Sequence, residues 1–197
     1  MKMSLKKLLL VTVIGFWSLQ ASANNLGVEA GLNFSSISFT PTQAGLTGGT
    51  KFTGGVYYEM KVEDWFYFQP GLRFNGYSAS ASGSTASSNV LQVPLLGKAK
   101  FATGSMVTPF ALAGLVPGFE ISESQTNVTN PNNFKGFSLG LSFGGGAEFE
   151  VSPGVALLVS GRYTLGLLNQ NNATTNPSVT SVKASGFELL VGGAFAL

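Results

Sequence analysis

The chain contains no cysteine and no histidine. Without cysteine there is no disulfide framework, no thiolate metal site and no lipid-modified N-terminal Cys. Without histidine, Ser-His-Asp triads, Cys-His pairs and His-metal centres are all excluded. Charge is scarce as well: Asp, Glu, Lys and Arg make up 10% of the residues, against about 25% in ordinary soluble domains. Long apolar runs are equally rare, and the single one present lies at the N-terminus.

That run has the layout of a cleaved secretion signal. Lys2, Lys6 and Lys7 form a positive start, Leu8 to Leu19 an apolar stretch of 12 residues, and Ala21-Ser22-Ala23 an A-x-A site. A membrane-spanning helix needs roughly 20 apolar residues, so the run is too short for an anchor. The expected division is a signal peptide over 1–23, cut after Ala23 with Ala21 as the second small residue, and one domain over 24–197. With the leader gone, Lys+Arg falls from 11 to 8 against 9 acidic residues, a net of −1. The basic character belongs to the precursor, no basic cluster remains, and a nucleic-acid partner is not expected.

No second apolar stretch approaches helix-spanning length, so a membrane location for 24–197 requires a closed barrel. Its signature is a series of roughly ten-residue segments with alternating apolar and polar positions. Leu26, Val28, Ala30, Leu32 and Phe34 oppose Gly27, Glu29, Gly31, Asn33 and Ser35. Phe52, Val56, Tyr58 and Met60 oppose Lys51, Thr53, Tyr57 and Glu59, and Phe66, Phe68, Leu72 and Phe74 oppose Tyr67, Gln69, Arg73 and Asn75. A fourth segment sets Leu91, Val93, Leu95, Ala99 and Phe101 against Gln92, Lys98 and Lys100. The fifth, near Thr108 to Phe119, is the weakest, because both faces are small or apolar. The sixth (137–150), seventh (155–166) and eighth (186–197) alternate cleanly. Ser/Thr/Asn/Gly stretches at 36–49, 78–89, 120–134 and 169–181 read as long loops. Glu63-Asp64, Thr103-Gly104-Ser105 and Ser152-Pro153-Gly154 read as short turns. Short turns on one side and long loops on the other fit an all-β, eight-stranded antiparallel transmembrane barrel of outer-membrane type. A soluble lipocalin-like barrel is the structural rival, with the opposite face turned outward.

Three stretches carry a resemblance. Phe68-Gln69-Pro70-Gly71-Leu72-Arg73-Phe74, Leu91-Gln92-Val93-Pro94-Leu95-Leu96-Gly97-Lys98 and Gly161-Arg162-Tyr163-Thr164-Leu165-Gly166-Leu167-Leu168-Asn169 resemble the third, fourth and seventh strands of the outer-membrane β-barrel domain family, also called porin-family or PorT-like proteins. The C-terminus is similar to the signal read by barrel-assembly machinery, with Gly192, Phe195 and Leu197 in its glycine and apolar positions. Leu190 departs from it, standing where a polar residue is usual. The resemblance implies the fold, the outer membrane with its lipids, and that machinery as a partner during biogenesis. It implies no single activity.

The candidate site is the polar face. Glu29, Arg73, Lys98, Lys100, Glu148, Glu150, Arg162 and Glu188 fall on it, and an eight-stranded barrel is only wide enough for side chains to fill. Buried charges must pair, so a network is expected, with Arg73 and Arg162 reaching Glu188, and Lys98 reaching Glu148 or Glu29. Gly136, Gly140, Gly144 and Gly146 are expected to leave room for long side chains opposite. Gly144-Gly145-Gly146 leads into Ala147-Glu148 and lacks the Lys-Ser/Thr of a phosphate loop. The resulting expectation is a monomeric, non-enzymatic barrel with a structural or envelope-organising role, no cofactor and no metal. A narrow porin-like channel is the alternative. A lipid A-modifying enzyme is disfavoured by the missing histidine.

Overall fold

Alternation of period two puts successive side chains on opposite faces of a strand, and the fold follows from which face is apolar. The computed structural model describes residues 24–40, 47–81, 84–126, 136–169 and 181–197. The leader, including Ala21 and Ala23, and the tips of the long connections lie outside the described residues. Among the described residues nine strands form one antiparallel sheet: β1 (Asn25–Thr40), β2 (Thr47–Lys61), β3 (Phe66–Ala81), β4 (Ser84–Gln92), β5 (Leu95–Lys100), β6 (Val107–Thr126), β7 (Phe137–Ser152), β8 (Val155–Gly166) and β9 (Ser181–Ala196). Strands consecutive in the chain pair with one another, except that β4 and β5 each pair with β3 and β6, and β9 pairs with β1, closing the sheet into a ring.

Nine strands occupy eight positions around that ring. β4 and β5 both lie between β3 and β6, end to end. The register against β6 runs from Gln92↔Gly118 to Leu95↔Leu115 with no residue gained or lost. The fourth segment is thus one stave interrupted at Val93-Pro94, because proline has no N–H to give the ladder. The Pro94 carbonyl still accepts the Gly71 N–H at 2.9 Å, and Val93 donates to the Pro117 carbonyl at 2.8 Å.

The apolar face points outward. Leu26, Val28, Leu32, Phe52, Val56, Leu72, Leu115, Leu141, Leu157, Val159, Leu189 and Val191 are exposed around the whole ring. An apolar belt of that extent is incompatible with water as the surrounding solvent, which settles the membrane barrel against the soluble one. Aromatic side chains stand along the belt. Phe34, Phe187, Tyr163 and Phe143 are successive register partners across four strands, and the Phe143 and Tyr163 ring centroids lie 5.7 Å apart. Trp65, Phe101, Phe149 and Phe195 mark the short-turn end of the belt, and on β9 Phe187 is the outermost exposed apolar residue toward the long loops. Eight residue steps separate Phe187 from Phe195. At about 3.3 Å per step and a tilt near 40°, the belt is about 20 Å tall, close to an outer-membrane apolar band.

One expected strand runs past its expected bounds, and one expected loop is strand. The fifth segment is weak in sequence yet forms β6, the longest strand, 20 residues. Its inward Phe110, Leu112 and Val116 pack with Leu96 in an apolar cluster inside the barrel, so neither face is polar and the alternation vanishes. The Ser/Ala stretch 78–89 is largely strand as well: β3 and β4 continue as a hairpin to Ala81 and Ser84. Beyond the lipid belt no apolar period is required, and Ser/Thr/Asn contacts such as Ser80 Oγ to Thr85 Oγ1 (3.1 Å) and Asn89 Nδ2 to Ser122 Oγ (2.8 Å) support the backbone ladder.

The short turns, Asn24 and Leu197 share one end. Leu197 N–H donates to the Asn24 carbonyl at 2.9 Å. Gly154 sits at φ +79°, a left-handed conformation that favours glycine, in the β7–β8 turn. At the β2–β3 turn Lys61 bonds Asp64 at 2.9 Å, and this bond and its charge hold the Asp64 carboxyl below the usual carboxylate range.

Candidate functional site: the charged lumen

Inward positions on β1, β3, β8 and β9 build the first of two ion clusters. Arg162 grips Glu29 with both ends of its guanidinium, at 2.8 and 2.6 Å. Arg73 spans Glu29 at 3.0 Å and Glu188 at 2.7 Å. Asn75 Nδ2 donates to the other Glu188 oxygen at 2.7 Å, and Gln92 and Asn75 both donate to the Tyr77 hydroxyl, at 3.0 and 3.2 Å. All four charged side chains are almost completely buried. Two-pronged guanidinium–carboxylate contacts are among the strongest hydrogen bonds proteins make, which offsets the desolvation of the ions.

The second cluster lies nearer the short-turn end, on β2, β5 and β7. Lys98 Nζ donates to Glu59 at 2.7 Å and also bonds Glu148. Lys100 contacts Glu59 at 2.5 Å and Glu148 at 2.9 Å. Asn25 Nδ2 adds a bond to Glu59 at 2.9 Å. The Lys98 ammonium lies 4.3 Å from the Phe110 ring centroid and that of Lys100 lies 4.4 Å from the Tyr67 centroid, favourable positions over an aromatic face. Across both clusters four cations meet four carboxylates.

The two clusters hold Glu29, Arg73, Lys98, Lys100, Glu148, Arg162 and Glu188; the expected Arg73–Glu188 and Lys98–Glu148 pairs form, and the partner of Arg162 differs. Arg162 stands opposite Glu188 in register but its guanidinium reaches across to Glu29. Lys98 takes Glu59 and Glu148, not Glu29. Glu150 does not join; it is exposed at the short-turn end. Glu59, fully buried, is the member the sequence reading left out, although alternation had put it on the inner face beside Tyr57.

The glycines act differently from expectation too. A Cβ on Gly144 would lie 2.2 Å from the Gly161 carbonyl oxygen, and one on Gly146 2.1 Å from that of Val159. They admit the neighbouring β8 backbone, and Gly146 also leaves room for the Phe110 ring opposite it, where a Cβ would lie 2.9 Å from Cζ. Gly136 precedes β7, with open space around it. Room for a long inward side chain comes from Gly27, where a Cβ would lie 2.0 Å from Tyr57 Cζ. The lumen also holds apolar side chains: Leu158 and Leu190 are buried inward, so Leu190 fills space where a polar residue was expected. Of the C-terminal signal residues, Gly192 pairs with Glu29, while Phe195 and Leu197 are exposed.

Above the arginine cluster, toward the long-loop end, lies a chamber lined by Ile37, Val90, Val116 and Val182, with Tyr77 at one side and Glu120 held by Ser88 at 2.5 Å. No group of three or more metal-ligating side chains occurs among the described residues.

Comparison with known proteins gives the same architecture. Residues 8–195 match the family model described as outer membrane protein beta-barrel domain. Among solved structures, the chain is similar to Neisserial surface protein A, at 19% identity over 90% of this chain and 99% of that one, with a TM-score of 0.58. It is likewise similar to OprG from Pseudomonas aeruginosa, at 13% identity over 91% and 98%, with a TM-score of 0.59. At such identities the likeness is one of fold. No curated protein matches the chain significantly.

Proposed function

Since the chain belongs to the outer membrane protein beta-barrel domain family, we propose that it is a closed, non-enzymatic barrel that braces or organises the bacterial outer membrane rather than a pore. One observation carries this reading: Glu29 on β1 is bonded at once by Arg73 on β3 and Arg162 on β8, so charged side chains cross the lumen from wall to wall. In a ring of eight strand positions the interior is just wide enough to be filled. A hydrated ion would have to part these bonds to pass. The charge balance also removes any net field that would draw ions of one sign.

In the same reading the leader is removed after Ala23, the protein is a monomer delivered by barrel-assembly machinery, and the long loops face outward. The mass of the protein isolated from outer membranes should correspond to a chain starting at Asn24; a retained leader would refute the cleavage. For the closed lumen, the mature chain should be refolded into a planar bilayer, with a heat-shifted gel band as the folding control. Folded protein should give no discrete current steps. Reproducible steps would replace the closed barrel with a narrow porin-like channel.

A further inference from the structure

Between the arginine cluster and β2, a small cavity is lined by Tyr57, Gln69, Arg73 and Arg162, with Glu29 and Leu96 beside them. About 10 Å³ is open to the centre of a water molecule, so the cavity meets the requirement of roughly one water-sized sphere that an ordered water needs. Each of the first four side chains is at most 4% exposed. Each also brings one buried polar atom that finds no partner in the protein: the Tyr57 hydroxyl, Gln69 Oε1, Arg73 Nε and Arg162 Nε. The rest of both guanidinium groups is committed to Glu29 and Glu188. Buried polar groups are almost always satisfied by protein or by ordered water. Four side chains lining one cavity of this size, each with one unmatched buried atom, therefore describe a binding site.

We propose that this cavity binds one permanently held water molecule, which completes the network and ties β2 and β3 to β8. The chemistry matches atom for atom. The two Arg Nε–H groups donate, and water accepts two hydrogen bonds. Gln69 Oε1 accepts and the Tyr57 oxygen can accept, and water donates two. A halide is the competing occupant of similar size. It would accept from both Nε–H groups and from the Tyr57 hydroxyl, and turning the Gln69 amide over would add a fourth donor. It would also bring an unbalanced negative charge into a buried cluster where four cations already meet four carboxylates, which burial penalises heavily. Neutral water carries no such penalty.

The test is a crystal structure of the mature protein grown in bromide, with anomalous data collected at the bromine edge. The expected result is a single ordered peak within hydrogen-bond distance of all four atoms and no anomalous signal there. An anomalous peak makes the site an anion site and overturns the proposal, as does a cavity closed by its own side chains with no peak. In solution, oxygen-17 relaxation dispersion on the barrel in micelles should show one long-lived water exchanging faster in Gln69→Leu, which removes one of its four partners, than in the unaltered protein. An unchanged residence time overturns the proposal. If Gln69→Leu gives no folded band, Tyr57→Phe is measured instead. It leaves the water three partners, so the water should exchange faster, and an unchanged residence time overturns the site.

Discussion

Arg162→Ala should lower the unfolding free energy by about 3 kcal/mol. Removing one partner of a buried ion pair typically costs about 3–5 kcal/mol, because the other charge is left without compensation in a low-dielectric interior. Here the stranded group is Glu29, which loses bonds of 2.8 and 2.6 Å and keeps only Arg73 at 3.0 Å. The surviving arginine argues for the lower end of the range. Urea titration of the barrel in lipid vesicles would measure the loss, followed by the emission of Trp65, the single tryptophan of residues 24–197, and by the heat-shifted band. A change below about 1 kcal/mol, the usual ceiling for an exposed pair, would mean that the lumen is wet and the pair screened. Arg162→Met combined with Glu29→Met separates charge from packing: replacing a whole buried pair by apolar residues is often neutral, so the double variant should recover most of what the single one loses.

Glu59→Ala should cost more, about 4–5 kcal/mol, toward the top of the same range. Two ammonium groups, Lys98 and Lys100, then share Glu148 alone, and Asn25 loses its acceptor. Glu150→Ala is the matched control. It removes an acidic residue from the same end of the barrel, but an exposed one, and should stay within about 0.5 kcal/mol. The predicted order is Glu59, then Arg162, then Glu150. Equal losses at Glu59 and Glu150 would sink the assignment of Glu59 to the buried cluster and point to a general effect of negative charge near the short turns.

Glu59 also shows how the sequence informs and where it falls short. Alternation along a strand is local, so it tells which side chains point inward, and the inner face of β2 was readable as Lys51, Thr53, Tyr57 and Glu59. Near the strand end, Glu59 is followed closely by Lys61, Glu63 and Asp64 and blends into the charge of a turn. Partnership is another matter, because it depends on how far a side chain reaches across a curved wall. Arg162 and Glu188 face each other in register, yet the long guanidinium crosses to β1. Strand length was hidden wherever the apolar period stopped. In β6 both faces are apolar through Phe110, Leu112 and Val116, and in the 78–89 hairpin neither face needs to be, so backbone pairing alone sets the structure. Pro94 was visible in the sequence, but its small consequence was not: the ladder loses a donor and keeps its register.

The bond between Glu29 and Arg162 joins residues 133 positions apart in the chain. It requires β1 already seated beside β9, with β8 next in the ring, so it belongs among the last contacts made when the barrel shuts. Contacts formed after the rate-limiting step of folding do not hasten insertion; they raise the barrier to coming apart. The lumen therefore acts as a latch in time as well as in space. The stability lost in Arg162→Ala should show as faster unfolding at an unchanged rate of insertion, leaving a protein that enters the membrane normally and does not stay.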